Sequence, residues 1–91
     1  MEAAQASTGD AIRVMVVDDS AVVRGLISRT LERDGEVVVV RTVSNGEQAV
    51  KQLAEVGADV VILDIEMPVM DGLTAIPKLL EVDPEVKIIM A

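Results

Sequence analysis

The chain has 91 residues, is 51% hydrophobic, and carries a formal net charge of −8 without any Cys, His, Phe, Tyr or Trp. The lack of Cys and His excludes disulfides, thiolate or imidazole metal sites and Ser-His-Asp hydrolysis within this chain. The acidic balance argues against nucleic-acid binding, and no apolar run reaches the roughly 18 residues of a membrane span, so the sequence predicts a cytoplasmic protein.

The first ten residues contain little that a core would bury. We predict a flexible tail over 1–10, followed by one domain over 11–91. The tail has neither the basic n-region nor the apolar h-region of a signal peptide. About 80 residues remain for a core of Val, Leu, Ile, Met and Ala, close to the size at which one hydrophobic core becomes marginal.

Four short apolar runs alternate with segments of helical periodicity. The runs are rich in β-branched residues and lie at 12–17, 37–40, 60–63 and 86–90. Continuous apolar runs of this length are typical of strands that are buried on both faces of a parallel sheet. Because helical segments separate the runs, the order predicts an open parallel α/β sheet with helices on both faces.

The first helix is predicted over 20–33 and should end at Gly35, which suits a left-handed cap. Apolar residues spaced three and four apart form one stripe on this helix, and we expect the stripe to be its packing face. The stripe consists of Val22, Val23, Leu26, Ile27 and Leu31.

The second and third helices carry different boundary signals. Ser44 and Glu47 have the spacing of a capping box at the start of the second helix, and Gly57 should close it. The third helix contains Pro77, which lacks an N–H group. We therefore expect this helix to begin late, near Thr74, or to bend at the proline.

Acidic residues follow two of the predicted strands at the point where each strand ends. Asp18 and Asp19 follow the first strand, and Asp64 follows the third. Ligands of doubly wound sheets bind at the carboxyl ends of neighbouring strands, so we expect the three carboxylates to converge there. Charges this close require a proton or a cation, and oxygen ligands favour Mg²⁺ or Mn²⁺. An aspartate at such a site can act as a nucleophile toward phosphorus.

Simpler interpretations of these residues stay open at this point. Asp19 or Ser20 could be the N-cap of the first helix rather than part of a site. The pair Asp71-Gly72 could mark a hairpin, although the helical periodicity after it favours a loop that enters a helix. An EF-hand is excluded, because the segment after Asp64 lacks the alternating Asp or Asn ligands and the final Glu of that motif.

The sequence resembles the receiver domain of two-component response regulators. The resemblance is carried by the segments VMVVDDSAVVRGLISRTL and ADVVILDIEMPVMDGL and extends over 12–91. The motifs VVDDS and LDIEMPVMDG are most similar to those in the receiver part of the chemotaxis protein-glutamate methylesterase family. The resemblance implies a flavodoxin-like, doubly wound parallel sheet with strand order 2-1-3-4.

The resemblance also implies roles for individual residues. Asp64 would accept a phosphoryl group from a histidine kinase and would take part in the Mg²⁺ site. Asp19 would bind Mg²⁺ directly, and Asp18 would do so directly or through water. The backbone carbonyl of Glu66 would be a further metal ligand. The chain would thus be a regulatory phosphoacceptor and not itself an enzyme.

The loop after the third strand would be shaped by four residues of the same motif. These are Met67, Pro68, Asp71 and Gly72. Pro68 should restrict Met67 to an extended conformation, and Gly72 should permit a tight turn.

Parts of the family pattern are expected to lie beyond this chain. The family places a Ser or Thr directly after the fourth strand and a Lys after the fifth, so the last helix-strand-helix portion is predicted to be lacking. On this expectation the fourth strand is an open edge and an apolar face is bare, which predicts a homodimer through that edge or by element exchange. Two alternatives stay open: a phosphorylation-impaired module that works by dimerising, and a fragment of a longer methylesterase.

Overall fold

The alternating apolar and helical segments fold into a four-stranded sheet with three α-helices, in a computed structural model that describes residues 11–91. The predicted tail over 1–10 lies outside the described residues. The strands are β1 (Ile12–Val17), β2 (Val37–Val43), β3 (Val60–Leu63) and β4 (Lys87–Met90). The helices are α1 (Ala21–Leu31), α2 (Gly46–Val56) and α3 (Gly72–Val82), with a 3-10 turn at Glu32–Asp34.

The strand order is β2-β1-β3-β4, and every neighbouring pair is parallel. This confirms the predicted sheet and its order 2-1-3-4. In the register, Val17 at the end of β1 pairs with Val43 on one side and with Leu63 on the other. The carboxyl ends of three neighbouring strands therefore lie side by side, and the loops that follow them leave the sheet at a common edge.

The hydrophobic core is aliphatic and lies between the sheet and the helices α2 and α3. Met15 and Val17 of β1 belong to it, as do Val61 and Leu63 of β3, because alternate residues of a strand point to the same face. Its helical members are Ala49, Leu53, Ala75 and Leu79. Each fully buried Leu or Met contributes about 1.5–3 kcal/mol by leaving water, which makes this face the main source of stability.

The opposite face, which carries α1, is much less covered. The helix has no buried residue, and the side chains of Val22 and Leu26 are 72% and 53% exposed. The expectation that the whole apolar stripe packs was therefore wrong, since only Ile27 and Leu31 are half-buried within it. The main contacts of α1 are with β1, β2 and the 3-10 turn, and within residues 11–91 neither α2 nor α3 has substantial contact with it that would cover the rest of the stripe.

The ends of α1 follow the sequence signals, whereas the start of α2 does not. The hydroxyl of Ser20 accepts a hydrogen bond from the backbone N–H of Val23 at 3.2 Å, so Ser20 is the N-cap of α1. Gly35 has a left-handed φ of 79° after the 3-10 turn, as predicted. The N-cap of α2 is Asn45, whose side chain accepts from Gln48 N, and the predicted Ser44 capping box is not formed.

The third helix begins earlier than predicted. Asp71 is its N-cap and accepts a hydrogen bond from the backbone N–H of Thr74 at 2.8 Å, so the pair Asp71-Gly72 does enter a helix. Pro77 then lies inside the helix. Its missing N–H removes one bond to the carbonyl of Leu73, a residue that is 64% exposed, and water can bind that carbonyl instead.

Over residues 11–91, no helix is both long enough and apolar enough to cross a membrane.

Candidate metal centre at the carboxyl edge of the sheet

The two acidic loops begin as extensions of the parallel ladder. The backbone N–H of Asp18 donates to the carbonyl of Val43 at 3.1 Å, and the N–H of Asp64 donates to the carbonyl of Val17 at 2.9 Å. Both aspartates are thus held one residue beyond the ends of β1 and β3. Because these strands are neighbours, the ladder itself brings the first and second loop together.

Three carboxylates meet at this edge. Asp18, Asp19 and Asp64 each offer an oxygen, and these oxygens all lie within 4.8 Å of one another. Asp18 and Asp64 are half-buried, and Asp19 is exposed. Two unit charges about 4 Å apart repel by about 1 kcal/mol in water and by about 4 kcal/mol near a protein surface. The arrangement therefore favours a bound cation.

The donor set fits Mg²⁺ in its chemistry and its size. All three groups are carboxylates, the hard oxygen ligands that Mg²⁺ prefers. Mg²⁺ holds its ligands at about 2.0–2.1 Å in an octahedron, so two bound oxygens lie about 3 Å apart when they are adjacent and about 4 Å apart when they are opposite. The three oxygens lie within 4.8 Å of one another, so the carboxylates would close by up to about 2 Å to share one ion.

The first loop, 18–20, is fixed by hydrogen bonds in which side chains act as donors or acceptors. The side-chain carboxylate of Asp18 accepts a hydrogen bond from the backbone N–H of Ser20 at 2.9 Å. The backbone carbonyl of Asp18 accepts a hydrogen bond from Arg24 Nη1 at 2.7 Å. Ser20 caps α1, so Asp19 is not needed as a cap. Within residues 11–91 the carboxylate of Asp19 has no hydrogen bond, which leaves both of its oxygens available.

The second loop, 64–71, contains a strained three-residue turn. Met70 N donates to Pro68 O at 2.7 Å across Val69, whose φ is 69°. A positive φ is costly for a β-branched residue, since its side chain crowds the backbone. The turn directs the carbonyl of Met70 toward α2, where it accepts from the N–H of Gly46 at 3.0 Å. The strained turn thus allows a hydrogen bond that connects the loop to the start of α2.

Close packing of backbone on backbone holds the other end of this loop. Gly72 N donates to Ile65 O at 2.8 Å, and a Cβ at Gly72 would lie 2.4 Å from the carbonyl oxygen of Asp64. A Cβ at Gly46 would similarly lie 2.6 Å from the Met70 carbonyl. Gly72 does not have a positive φ. The expected tight-turn role was therefore wrong, and the residue is needed because α3 approaches the backbone of Asp64.

Glu66 and Met67 lie in the same loop as Asp64. Glu66 is exposed, and the role of its carbonyl as a metal ligand remains a prediction. Met67 is half-buried and packs against the core, which anchors the middle of the loop.

Neither Arg24 nor Gly46 was predicted from the sequence to contribute to the site. For Arg24 one sequence signal was available: a cation in the N-terminal part of a helix opposes the helix dipole, which suggests that it has a partner nearby. Gly46 had none, because its contact depends on a loop that is distant along the chain.

Comparison with known proteins gives the class of the molecule. Residues 14–91 match the family described as the response regulator receiver domain. The chain belongs to this family, which confirms the resemblance seen in the sequence.

The chain is also similar to particular proteins within this class. It is 65% identical over 86 residues to a protein-glutamate methylesterase/protein-glutamine glutaminase of Azospirillum brasilense, which covers 94% of this chain and 22% of that protein. The first curated relatives that it matches are all of this kind, and the chain spans about a fifth of their length.

Two solved structures show the same fold. The response regulator domain of Thermotoga maritima CheB is 35% identical with a TM-score of 0.84, and the match covers 88% of this chain and 59% of that one. A CheX-CheY-BeF3-Mg²⁺ complex from Borrelia burgdorferi is 31% identical with a TM-score of 0.79, and the match covers 87% and 60% of the two chains.

Proposed function

We propose that this receiver accepts a phosphoryl group on Asp64 in two-component signal transduction. The observation that supports the proposal most is the convergence of three carboxylate oxygens within 4.8 Å at the carboxyl edge of the sheet. Asp64 is the only member that belongs to the second loop. Its backbone is held by β1 and crowded by α3, so its carboxylate is well placed to act as a nucleophile.

In this reaction a carboxylate oxygen of Asp64 forms a bond to phosphorus, and the P–N bond of a kinase phosphohistidine breaks. The histidine nitrogen leaves with the electron pair, and the product is an acyl phosphate on Asp64. Asp18, Asp19, Asp64 and the carbonyl of Glu66 would hold Mg²⁺, which when bound supplies positive charge to the phosphoryl oxygens. A related solved structure, the CheX-CheY complex from Borrelia burgdorferi, contains BeF3 and Mg²⁺.

A protein phosphodonor suits the surface next to the carboxylates. Val22 in the first turn of α1 is 72% exposed, and Ile65 and Val69 of the second loop are 42% and 76% exposed. Exposed apolar side chains in the loops that carry the carboxylates, or in the helical turn that follows one of them, are typical of a protein contact site. We therefore propose a histidine kinase as the partner that phosphorylates Asp64.

The relatives suggest the setting in which this receiver works. Because they are methylesterases about four times as long as this chain, we propose that residues 11–91 act as the regulatory receiver of a chemotaxis methylesterase in the cytoplasm. The predicted tail over 1–10 stays part of this proposal, and these residues lie outside those that the structure describes. The described residues should then have no esterase activity of their own.

Intact-mass spectrometry after incubation with acetyl phosphate tests the phosphorylation. We expect one phosphoryl adduct that requires Mg²⁺, is released by hydroxylamine, and is absent from Asp64→Asn. Asp83→Asn is the matched control, because Asp83 is also half-buried and its side chain can still accept from Glu85 N. An adduct that persists in Asp64→Asn, or that forms equally without Mg²⁺, would overturn the proposal.

A second candidate function is association through β4, either alone or together with phosphorylation. Within the described residues β4 pairs with β3 only, and Ile89 on this strand is 54% exposed. An open edge with an apolar side chain favours pairing with another copy or exchange of elements. Light scattering over a concentration series should show a dimer that Ile89→Lys dissociates. A monomer at every concentration would refute this candidate.

A further inference from the structure

Arg24 occupies an electrostatically unfavourable place in α1. It is the fourth residue of the helix, where the amide dipoles present positive charge, and the first turn contains no acidic residue to offset it. Its guanidinium reaches back over the N-terminus, and Nη1 donates to the carbonyl oxygen of Asp18 at 2.7 Å. The side chain therefore ties the helix to the loop that carries two of the three carboxylates.

The choice of partner is unusual for an arginine near a carboxylate cluster. Guanidinium groups normally pair with carboxylates, often through two parallel hydrogen bonds. Among the described residues, however, Arg24 forms no ion pair with Asp18, Asp19 or Asp64, and its hydrogen bond goes to a backbone carbonyl. Arg24 thus leaves the carboxylate oxygens unpaired with a cationic side chain, although one oxygen of Asp18 accepts from Ser20 N, and its positive charge nearby reduces their mutual repulsion.

The bond completes a set of restraints on Asp18. Its N–H donates to Val43 O at 3.1 Å, its carboxylate accepts from Ser20 N at 2.9 Å, and its carbonyl accepts from Arg24. The carbonyl belongs to the peptide group that joins Asp18 to Asp19. Fixing this peptide sets the direction in which Asp19 leaves the strand, although the side chain of Asp19 has no restraint of its own.

We infer that Arg24 is a positioning residue for the proposed Mg²⁺ site. Its hydrogen bond holds the Asp18–Asp19 peptide in the orientation that presents both carboxylates to the ion. This inference rests on the proposed function and adds a residue to it. It has a distinctive consequence, because positioning and charge act in opposite directions. Removing a positive charge alone would strengthen Mg²⁺ binding, whereas releasing the peptide would weaken it.

Isothermal titration calorimetry with Mg²⁺ tests the inference in the absence of any phosphodonor. We expect Arg24→Ala to raise the Mg²⁺ dissociation constant about tenfold, which is the usual scale for loss of a group that orients a metal ligand. Arg24→Lys, which keeps the charge and one donor, should lie between Arg24→Ala and wild type. Arg29→Ala is the matched control, since Arg29 is exposed on the same helix and has no bond to the loop.

Phosphorylation kinetics give the second readout. With acetyl phosphate as donor, Arg24→Ala should need about tenfold more Mg²⁺ for its half-maximal rate and should approach the wild-type rate at saturating Mg²⁺. If circular dichroism shows that Arg24→Ala is unfolded, the comparison of Arg24→Lys with Arg29→Ala tests whether Arg24 positions the Mg²⁺ site. Equal or tighter Mg²⁺ binding by folded Arg24 variants overturns the inference alone. Absence of Mg²⁺ binding by the wild type overturns both the inference and the proposed metal site.

Discussion

The two loops that bring the carboxylates together are held by different means. Beyond the backbone bond from Asp18 to Val43, the first loop, 18–20, is held by side chains: the Ser20 cap, the Asp18 carboxylate and the Arg24 guanidinium. The second loop, 64–71, depends on backbone packed against backbone, with glycine at the points of closest approach. A side chain can rotate and keep its hydrogen bond when a loop shifts. Two backbone segments packed so closely that only glycine fits between them cannot shift in this way. The proposed nucleophile thus lies on the rigid loop, and the proposed metal ligand Asp19, which is exposed, lies on the adjustable one.

The largest expected effect is at the rigid loop. Gly72→Ala should lower the free energy of unfolding by about 3 kcal/mol, because its Cβ would meet the Asp64 carbonyl oxygen at 2.4 Å and the backbone has to move. Urea unfolding followed by far-UV circular dichroism measures this, since the chain has no aromatic residue for fluorescence.

Gly25→Ala is the control for this substitution. Its Cβ would meet only the end of the Arg29 side chain at 3.3 Å, which can give way, and alanine is the better helix former by about 1 kcal/mol. We therefore expect a small gain in stability. Equal effects of the two substitutions would show that the backbone contact at Gly72 does not matter.

A smaller effect is expected at the adjustable loop. Ser20→Ala should cost about 1 kcal/mol through loss of the N-cap of α1, and Ser20→Asn should restore most of it. Ser28→Ala is the control, because Ser28 bonds the carbonyl of Arg24 inside the helix and contributes little there. A loss at Ser28 as large as the loss at Ser20 would contradict the capping role.

The strained turn should respond in the opposite direction. Val69→Gly should raise the free energy of unfolding by about 0.5 kcal/mol, because the left-handed strain of about 1–2 kcal/mol is relieved at a smaller cost in unfolded-state entropy. Val22→Gly is the matched control: it is similarly exposed but helical, and should destabilise by about 0.5–1 kcal/mol. Destabilisation by Val69→Gly would show that the turn is not strained.

The smallest effect concerns pH at the junction of the second loop and α3. The backbone N–H of Thr74 and then its hydroxyl hold the pKa of Asp71 below its ordinary value. A lowered pKa means that the folded state favours the carboxylate, so this contribution is complete above about pH 4 and is lost as the pH falls through the lower, folded pKa. The stability difference between wild type and Asp71→Asn should therefore shrink below about pH 4. A difference that stays constant across this range would contradict the assignment.

Much of this fold could be predicted because its signals are local. The β-branched runs, the glycines after α1 and α2, and the acids at the ends of β1 and β3 each depend on neighbouring residues. The order of a parallel sheet then places the acids together without further information. The convergence of Asp18, Asp19 and Asp64 was predictable for this reason.

The remaining features depend on contacts between distant parts of the chain. The early start of α3 follows from Asp71 as a cap, and the sequence signal of Pro77 pointed the other way. The need for glycine at Gly72 arises from the backbone of Asp64, and the start of α2 is set partly by the Met70 carbonyl. The exposure of Val22 and Leu26 depends on what covers the α1 face, which periodicity does not reveal.

The central claim is that carboxylates from both loops form one cation site. A Mg²⁺ titration followed by ¹H–¹⁵N NMR tests it most directly, because the backbone amides of each loop report separately. We predict that amides of Asp19 and Glu66 shift together with one dissociation constant, and that Asp64→Asn weakens the response of both loops while the exposed-surface control Glu81→Gln does not. Shifts confined to one loop, or unchanged by Asp64→Asn, would contradict the account.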